Sequence, residues 1–215
     1  MFGRLSQTRA NMGRNRFCTH EFSQPVPAEL PSDTGSLTPE EVRRLHRVQL
    51  PTRSLELTRD TWMLQLCLAG SRVGDLLSVG PDQIKDGLLV HTQIKTDLPR
   101  RVPIIAPARE IIERYAGGSR LLPVLEIAGD DMQIARTMLN RSLKIVAQAA
   151  GIDKPVSTHW ARHTFAGWMA DLGVREDVIG SLMGHRAKSR TSVYLAKQGD
   201  ERSRKAMALL QAALG

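Results

Sequence analysis

The sequence Ser157-Thr-His-Trp-Ala-Arg-His-Thr-Phe-Ala-Gly-Trp-Met-Ala-Asp-Leu-Gly173, then Val174-Arg-Glu-Asp-Val-Ile-Gly-Ser-Leu-Met-Gly-His185, then Arg186-Ala-Lys-Ser-Arg-Thr-Ser-Val-Tyr194 decides how the chain is understood. Ser157 or Thr158 is placed to cap a helix that stops at Gly173, where glycine tolerates a left-handed end. Ala161, Phe165, Trp168, Met169 and Leu172 fall at helical spacing and form one apolar stripe. His159 and Arg162 share a different face, because positions three apart on a helix are neighbours. A shorter second helix is expected to end at Leu182-Met183-Gly184 and to deliver His185. Nine residues later stands Tyr194, one of two tyrosines in the protein.

These residues resemble the catalytic motifs of the tyrosine recombinase (phage integrase) family. That family pairs an H-x-x-R helix with an (L/M)-G-H turn and a nucleophilic tyrosine about nine residues on. His159-x-x-Arg162, Met183-Gly184-His185 and Tyr194 match in that order. Two upstream positions complete the pattern. Arg72, in Gly70-Ser-Arg-Val-Gly-Asp75, is similar to the family's first arginine, with Asp75 as its acidic partner. Lys95, in Ile94-Lys-Thr-Asp-Leu-Pro-Arg-Arg-Val-Pro103, is similar to its lysine. The resemblance extends from about Leu37 to the C-terminus. It implies an α+β fold, mainly α-helical, with a small three-stranded antiparallel sheet at one edge.

A chain of 215 residues with 41% hydrophobic and 24% charged residues can build one globular core. Thirty Lys and Arg against 22 Asp and Glu leave a formal charge of +8, which favours a polyanionic partner such as nucleic acid; the resemblance implies double-stranded DNA. Two cysteines, Cys18 and Cys67, cannot form a disulfide framework, and Cys67 sits in an apolar helical run. With no signal-peptide pattern and no apolar run of membrane-spanning length, a cytoplasmic location and no membrane partner are expected.

Along the chain, residues 1–36 carry Arg4, Arg9, Arg14 and Arg16, then Pro25, Pro27 and Pro31, and show no periodicity. They read as a basic flexible arm, either a simple leader or a DNA contact, in place of the helical N-terminal domain usual in the family. The catalytic domain is expected over residues 37–215. Thr38, Pro39 and Glu41 make a capping-box start. A helix is expected from Thr58 to Ala69, and a short one over Arg72 to Leu77 capped by Ser71. Strands follow at Gln83–Lys85, Leu88–Ile94 and Arg101–Ile105, with Lys95 beside the second hairpin turn. Helices resume over Ala108–Ala116, where Tyr115 is assigned to the core, and over Asp131–Ala150. The last helix, Asp200–Leu214, presents Ala206, Leu209, Leu210 and Ala213 on one face. It is expected either to fold back on its own core or, as in the family, to dock on a neighbouring subunit of a tetramer on DNA.

The implied chemistry accounts for each residue type. A tyrosine hydroxyl attacks a phosphodiester and conserves the bond as a 3′-phosphotyrosine. Forked guanidiniums of Arg72 and Arg162 would hold the non-bridging oxygens. Lys95 would protonate the 5′-oxygen, His159 would assist Tyr194 or hold the phosphate, and His185 would hydrogen-bond it. Neither metal nor nucleotide cofactor is called for, and no Walker loop is present. His159 and His163 mimic a zinc pair, but Trp160 stands where H-E-x-x-H needs glutamate. The rival expectations are a type IB topoisomerase and a non-catalytic DNA-binding protein that retains the fold.

Overall fold

In the computed structural model, residues 35–185 and 199–215 are described. The first helix, α1 (Pro39–Arg47), begins at the expected capping box. Thr38 Oγ1 accepts from the Glu41 amide at 3.2 Å, and Glu41 Oε2 accepts from the Thr38 amide at 2.8 Å. Helix α2 (Arg53–Cys67) starts earlier than Thr58 because Thr52 caps it, its hydroxyl accepting from the Leu55 amide at 3.4 Å. Trp62 of α2 is fully buried, and its indole N–H donates to the Ser157 carbonyl at 3.1 Å. That bond fixes the approach to the H-x-x-R helix.

Helix α3 (Val73–Ser78) follows a tight turn, and a single-turn 3₁₀ segment, Pro81–Gln83, leads into the sheet. Strands β1 (Ile84–Lys85), β2 (Leu88–Thr92) and β3 (Pro99–Pro103) run antiparallel in that order. The second hairpin is shifted from the expected limits. Asp97 donates to the Gln93 carbonyl and Gln93 to the Leu98 carbonyl, so residues 93–98 form the connection. Pro99 can then open β3, which lies at the sheet edge. His91 pairs with Arg100 and Leu89 with Val102, a register that turns Arg100 and Val102 inward and Arg101 outward.

Helix α4 (Ala106–Arg114) is joined by the short α5 (Val124–Ile127), unforeseen from periodicity, to the long α6 (Met132–Ala149). The expected stripe on α6, Leu139, Leu143, Val146, Ala147 and Ala150, is buried throughout. Helices α7 (Trp160–Asp171), α8 (Glu176–Met183) and α9 (Gly199–Leu214) complete the order among the described residues. One apolar cluster joins Trp62 and Leu66 of α2, Leu143 of α6, Phe165 and Met169 of α7, and Leu210 of α9. The architecture is the expected mainly helical α+β fold with a three-stranded antiparallel sheet.

Three local expectations fail for physical reasons. Neither Ser157 nor Thr158 caps α7: His159 occupies the N-cap position in a helical conformation, without a side-chain cap. The Thr158 amide donates instead to Asn140 Oδ1 at 2.9 Å. Leu172 leaves the α7 stripe, being the C-cap and 41% exposed. Tyr115 packs against the core only in part, with its hydroxyl donating to the buried carboxylate of Asp60 at 3.0 Å. Burial, followed by Asp60, pushes that hydroxyl well above the usual tyrosine range.

Helix α9 lies on its own core. Ala206, Met207 and Leu210 are buried, Asp200 pairs with Arg101 at 2.9 Å, and Gln211 Oε1 accepts from the Ala106 amide. Leu209, expected on the same face, is exposed. Among the described residues no helix is long and apolar enough to cross a membrane. The expected arm, residues 1–36, falls almost wholly outside the described residues.

Candidate active site

The turn between α2 and α3 shapes the site. Ala69 and Gly70 take consecutive left-handed conformations, with φ of 54° and 62°. A Cβ at Gly70 would lie 3.0 Å from the Arg162 Cα and 3.3 Å from the Phe165 Cβ, so glycine lets α7 approach the turn. Arg72 follows as the N-cap residue of α3, one position before the expected first turn. Ser71 does not cap that helix; its hydroxyl donates to the Leu68 carbonyl at 2.8 Å.

Asp75, on the first turn of α3, is buried and bridges two elements. Its Oδ1 accepts from the Ile94 amide at 2.9 Å, holding the backbone of the turn that carries Lys95. Its Oδ2 lies 3.9 Å from Arg72 Nη1, an ion-pair distance too long for a hydrogen bond. Among the described residues both atoms are buried without a hydrogen-bond partner. Arg72 thus keeps donor capacity at the site. Lys95 is exposed on the turn between β2 and β3.

Arg162 projects from the first turn of α7 and is 6% exposed. Its Nη1 donates to the Gly70 carbonyl at 2.8 Å, and its Nη2 to the Met183 carbonyl at 3.0 Å. The same Nη2 lies 2.9 Å from His185 Nε2. Burial, then the neighbouring Arg72 charge, lowers the Arg162 guanidinium to about 10, with Asp75 opposing. It remains a cation at neutral pH.

His185 reaches Arg162 because α8 ends in a left-handed Gly184, φ 69°, after which the His185 amide donates to the Gly180 carbonyl at 2.8 Å. A Cβ on Gly184 would also collide with the amide of Gln93. The M-G-H turn therefore needs glycine twice over. His159 is exposed at the head of α7 and meets His163 edge-on, ring centroids 4.6 Å apart. Partial burial, then His163, Arg162 and Arg72, lower its pKa, which favours a neutral imidazole able to accept a proton. No third metal-ligating side chain joins this pair among the described residues.

The structure thus brings Arg72, Asp75, Arg162 and His185 together, with His159 within electrostatic reach and Lys95 on the hairpin that Asp75 holds. Tyr194 lies outside the described residues. Two contributors escaped the sequence. Gln93 is buried, and its Nε2 donates to the Met183 carbonyl at 3.3 Å. Arg100 is 2% exposed and lies close enough to Arg162 and Arg72 for their charges to lower its own guanidinium, after burial, to about 9. Strand alternation could have indicated Arg100, but only once the register with His91 was known. Arg72 and Arg162, with the charge of the buried Arg100 behind them, outnumber the one carboxylate of Asp75 and favour an anion with several oxygens.

Known proteins resemble this chain in sequence and in fold. The model of the phage integrase family matches residues 36–201. Tyrosine recombinase XerD of Pseudomonas putida is 35% identical over 146 residues, covering 63% of this chain and 49% of that protein. Among solved structures, the integrase from mycobacterium phage Brujita superposes with a TM-score of 0.63 at 17% identity, covering 82% of this chain and 57% of that one. A lambda integrase tetramer bound to a Holliday junction gives 0.56 at 20% identity, over 79% of this chain and 49% of that one. These two likenesses are of fold. The chain spans about half the length of the curated relatives it matches.

Proposed function

This chain belongs to the phage integrase family, and we propose that it cleaves and rejoins double-stranded DNA site-specifically through a covalent 3′-phosphotyrosine on Tyr194. The observation that carries the proposal is the cluster of Arg72, Arg162 and His185, in which Arg72 Nη1 is buried and keeps its donor capacity among the described residues. Such preorganised donors act where charge develops on a phosphate in flight.

In this mechanism the Tyr194 oxygen attacks phosphorus, with its proton passing to the neutral His159 imidazole or to water. Arg72 and Arg162 hold the two non-bridging oxygens, and His185, oriented by Arg162, hydrogen-bonds one of them. The bond from phosphorus to the 5′-oxygen breaks, and Lys95 supplies the proton that makes it a free hydroxyl. Attack by a 5′-hydroxyl reverses each step and restores the DNA. The family match favours this recombinase activity over topoisomerase-like relaxation or binding alone.

Self-association belongs to the same proposal. The lambda integrase relative was solved as a tetramer on a Holliday junction, which supports assembly of several copies on DNA. Docking of α9 on a neighbour would require it to withdraw Ala206, Met207 and Leu210 from its own core. Action on DNA inside a bacterial cell, in association with the nucleoid, belongs to the same proposal, which the bacterial origin of a similar tyrosine recombinase supports.

A nicked suicide duplex tests the central claim. Wild-type protein should give a denaturant-resistant protein–DNA adduct, and Tyr194→Phe, which loses one hydroxyl, should give none while still binding DNA. An adduct with Tyr194→Phe would move the nucleophile elsewhere.

A further inference from the structure

We propose that Arg100 is a positioning residue for phosphoryl transfer: its buried guanidinium sets the spacing between the two loops that carry Arg72 and His185. The inference rests on the phosphoryl-transfer function above. Arg100 stands on β3, directly after the hairpin of Lys95, and is 2% exposed.

Every nitrogen of its fork is engaged. Nε donates to the Leu182 carbonyl at 2.6 Å, and Nη1 to the Ser71 hydroxyl at 2.6 Å. Nη2 donates to the carbonyls of Leu68 and Ala69, both at 2.8 Å. One side chain therefore grips the turn before Arg72 and the end of the helix that presents His185. Arg162 grips the same two loops at alternate positions, Gly70 and Met183. The two arginines divide the carbonyls of residues 68–70 and 182–183 between them without sharing any.

Stability alone gives a weak reason for this arrangement. A buried guanidinium carries a desolvation penalty, and no carboxylate hydrogen-bonds Arg100 among the described residues; its partners are carbonyl dipoles and a hydroxyl. Arg162 and Arg72 repel it further, opposed by the charge of Asp75. What the fork supplies is geometry. Four fixed directions determine the distance from the left-handed turn at Ala69-Gly70 to the end of α8. That distance is also the separation across which Arg72 and the Arg162–His185 pair must meet one phosphate. Lysine, with a single nitrogen and no planar fork, cannot hold both loops at once.

Single-turnover adduct formation on the nicked duplex, beside equilibrium binding and thermal unfolding of the full chain, tests this. Folded Arg100→Lys should bind DNA within about twofold of wild type yet form adduct on the order of 10–100-fold more slowly, as misplacement of reacting groups does. A wild-type adduct rate in the folded variant would overturn the proposal. So would a rate loss matched by an equal loss of binding. If Arg100→Lys does not fold, Ser71→Ala decides: it removes the acceptor of Nη1 and the hydroxyl's own bond to the Leu68 carbonyl, which still accepts from Nη2. A several-fold slower adduct rate with unchanged binding supports the proposal, and a wild-type rate refutes it. A wild-type protein that forms no adduct would instead remove the underlying activity, a separate and recognisable outcome.

Discussion

Replacing Arg162 with methionine should separate catalysis from stability. The substitution keeps most of the side-chain volume and removes the charge and three contacts. The Met183 carbonyl retains the Gln93 amide at 3.3 Å, but the Gly70 carbonyl loses its guanidinium donor. An orphaned buried carbonyl costs about 1–3 kcal/mol. Against that, lowering from 12.5 to about 10 means that burial and Arg72 already penalise the charged form, by ~3 kcal/mol. The neutral side chain relieves this penalty. The two effects nearly cancel, so stability should move by no more than about 2 kcal/mol, a melting shift of several degrees at most. Transition-state stabilisation has no such compensation. One clamp donor is worth about 2.7–4 kcal/mol, so adduct formation should slow by roughly 100- to 1000-fold. Single-turnover cleavage of the nicked duplex and thermal unfolding, measured side by side, read both quantities. Cleavage within about threefold of wild type in a folded Arg162→Met protein would refute the clamp, as would a collapse in melting temperature large enough to explain the lost rate.

Lys95→Ala should be severely slowed on normal DNA but restored on a 5′-bridging phosphorothiolate, whose sulfur leaves without protonation; an equal defect on both substrates would place the general acid elsewhere. Acid should weaken the fold through His91, which is 6% exposed with its Nε2 lacking a hydrogen-bond partner among the described residues. Burial, then Arg100, hold its pKa below the ordinary 6.5, opposed by Asp75 and the Thr92 backbone. The unfolded chain therefore binds the proton first, so this contribution is complete above roughly pH 7 and declines as pH falls below 6.5. His91→Gln should flatten that part of a stability–pH curve measured by denaturant titration, and an unchanged slope would dismiss the assignment. Met207→Ala, at a fully buried position of α9, should destabilise the domain by about 2–5 kcal/mol. Deleting residues 201–215 should lower the melting temperature sharply; an unchanged melting temperature would mean that α9 contributes nothing to its own core.

The parts legible in the sequence were those governed by neighbours along the chain. The capping box at Thr38 and Glu41, the α6 stripe and the glycine that ends α8 are interactions between residues a few positions apart. Linear order alone carries them, and it carries the H-x-x-R and M-G-H motifs in the same way. Tertiary contact decided the rest. Ser71 was a plausible cap for α3, but its hydroxyl is taken by the Leu68 carbonyl and by Arg100 from 29 residues away. Arg100 and Arg101 are indistinguishable as adjacent cations in a strand; pairing with His91 turns one into the interior and leaves the other to meet Asp200. The physical reason is the reach of the forces. Propensity, capping and periodicity act within a turn or two of helix, whereas a buried guanidinium settles where folding gathers enough carbonyls to replace its water. For Arg100 and Arg162 those carbonyls come from loops around residues 68–70 and 182–183, far apart in the chain and joined only in the folded domain.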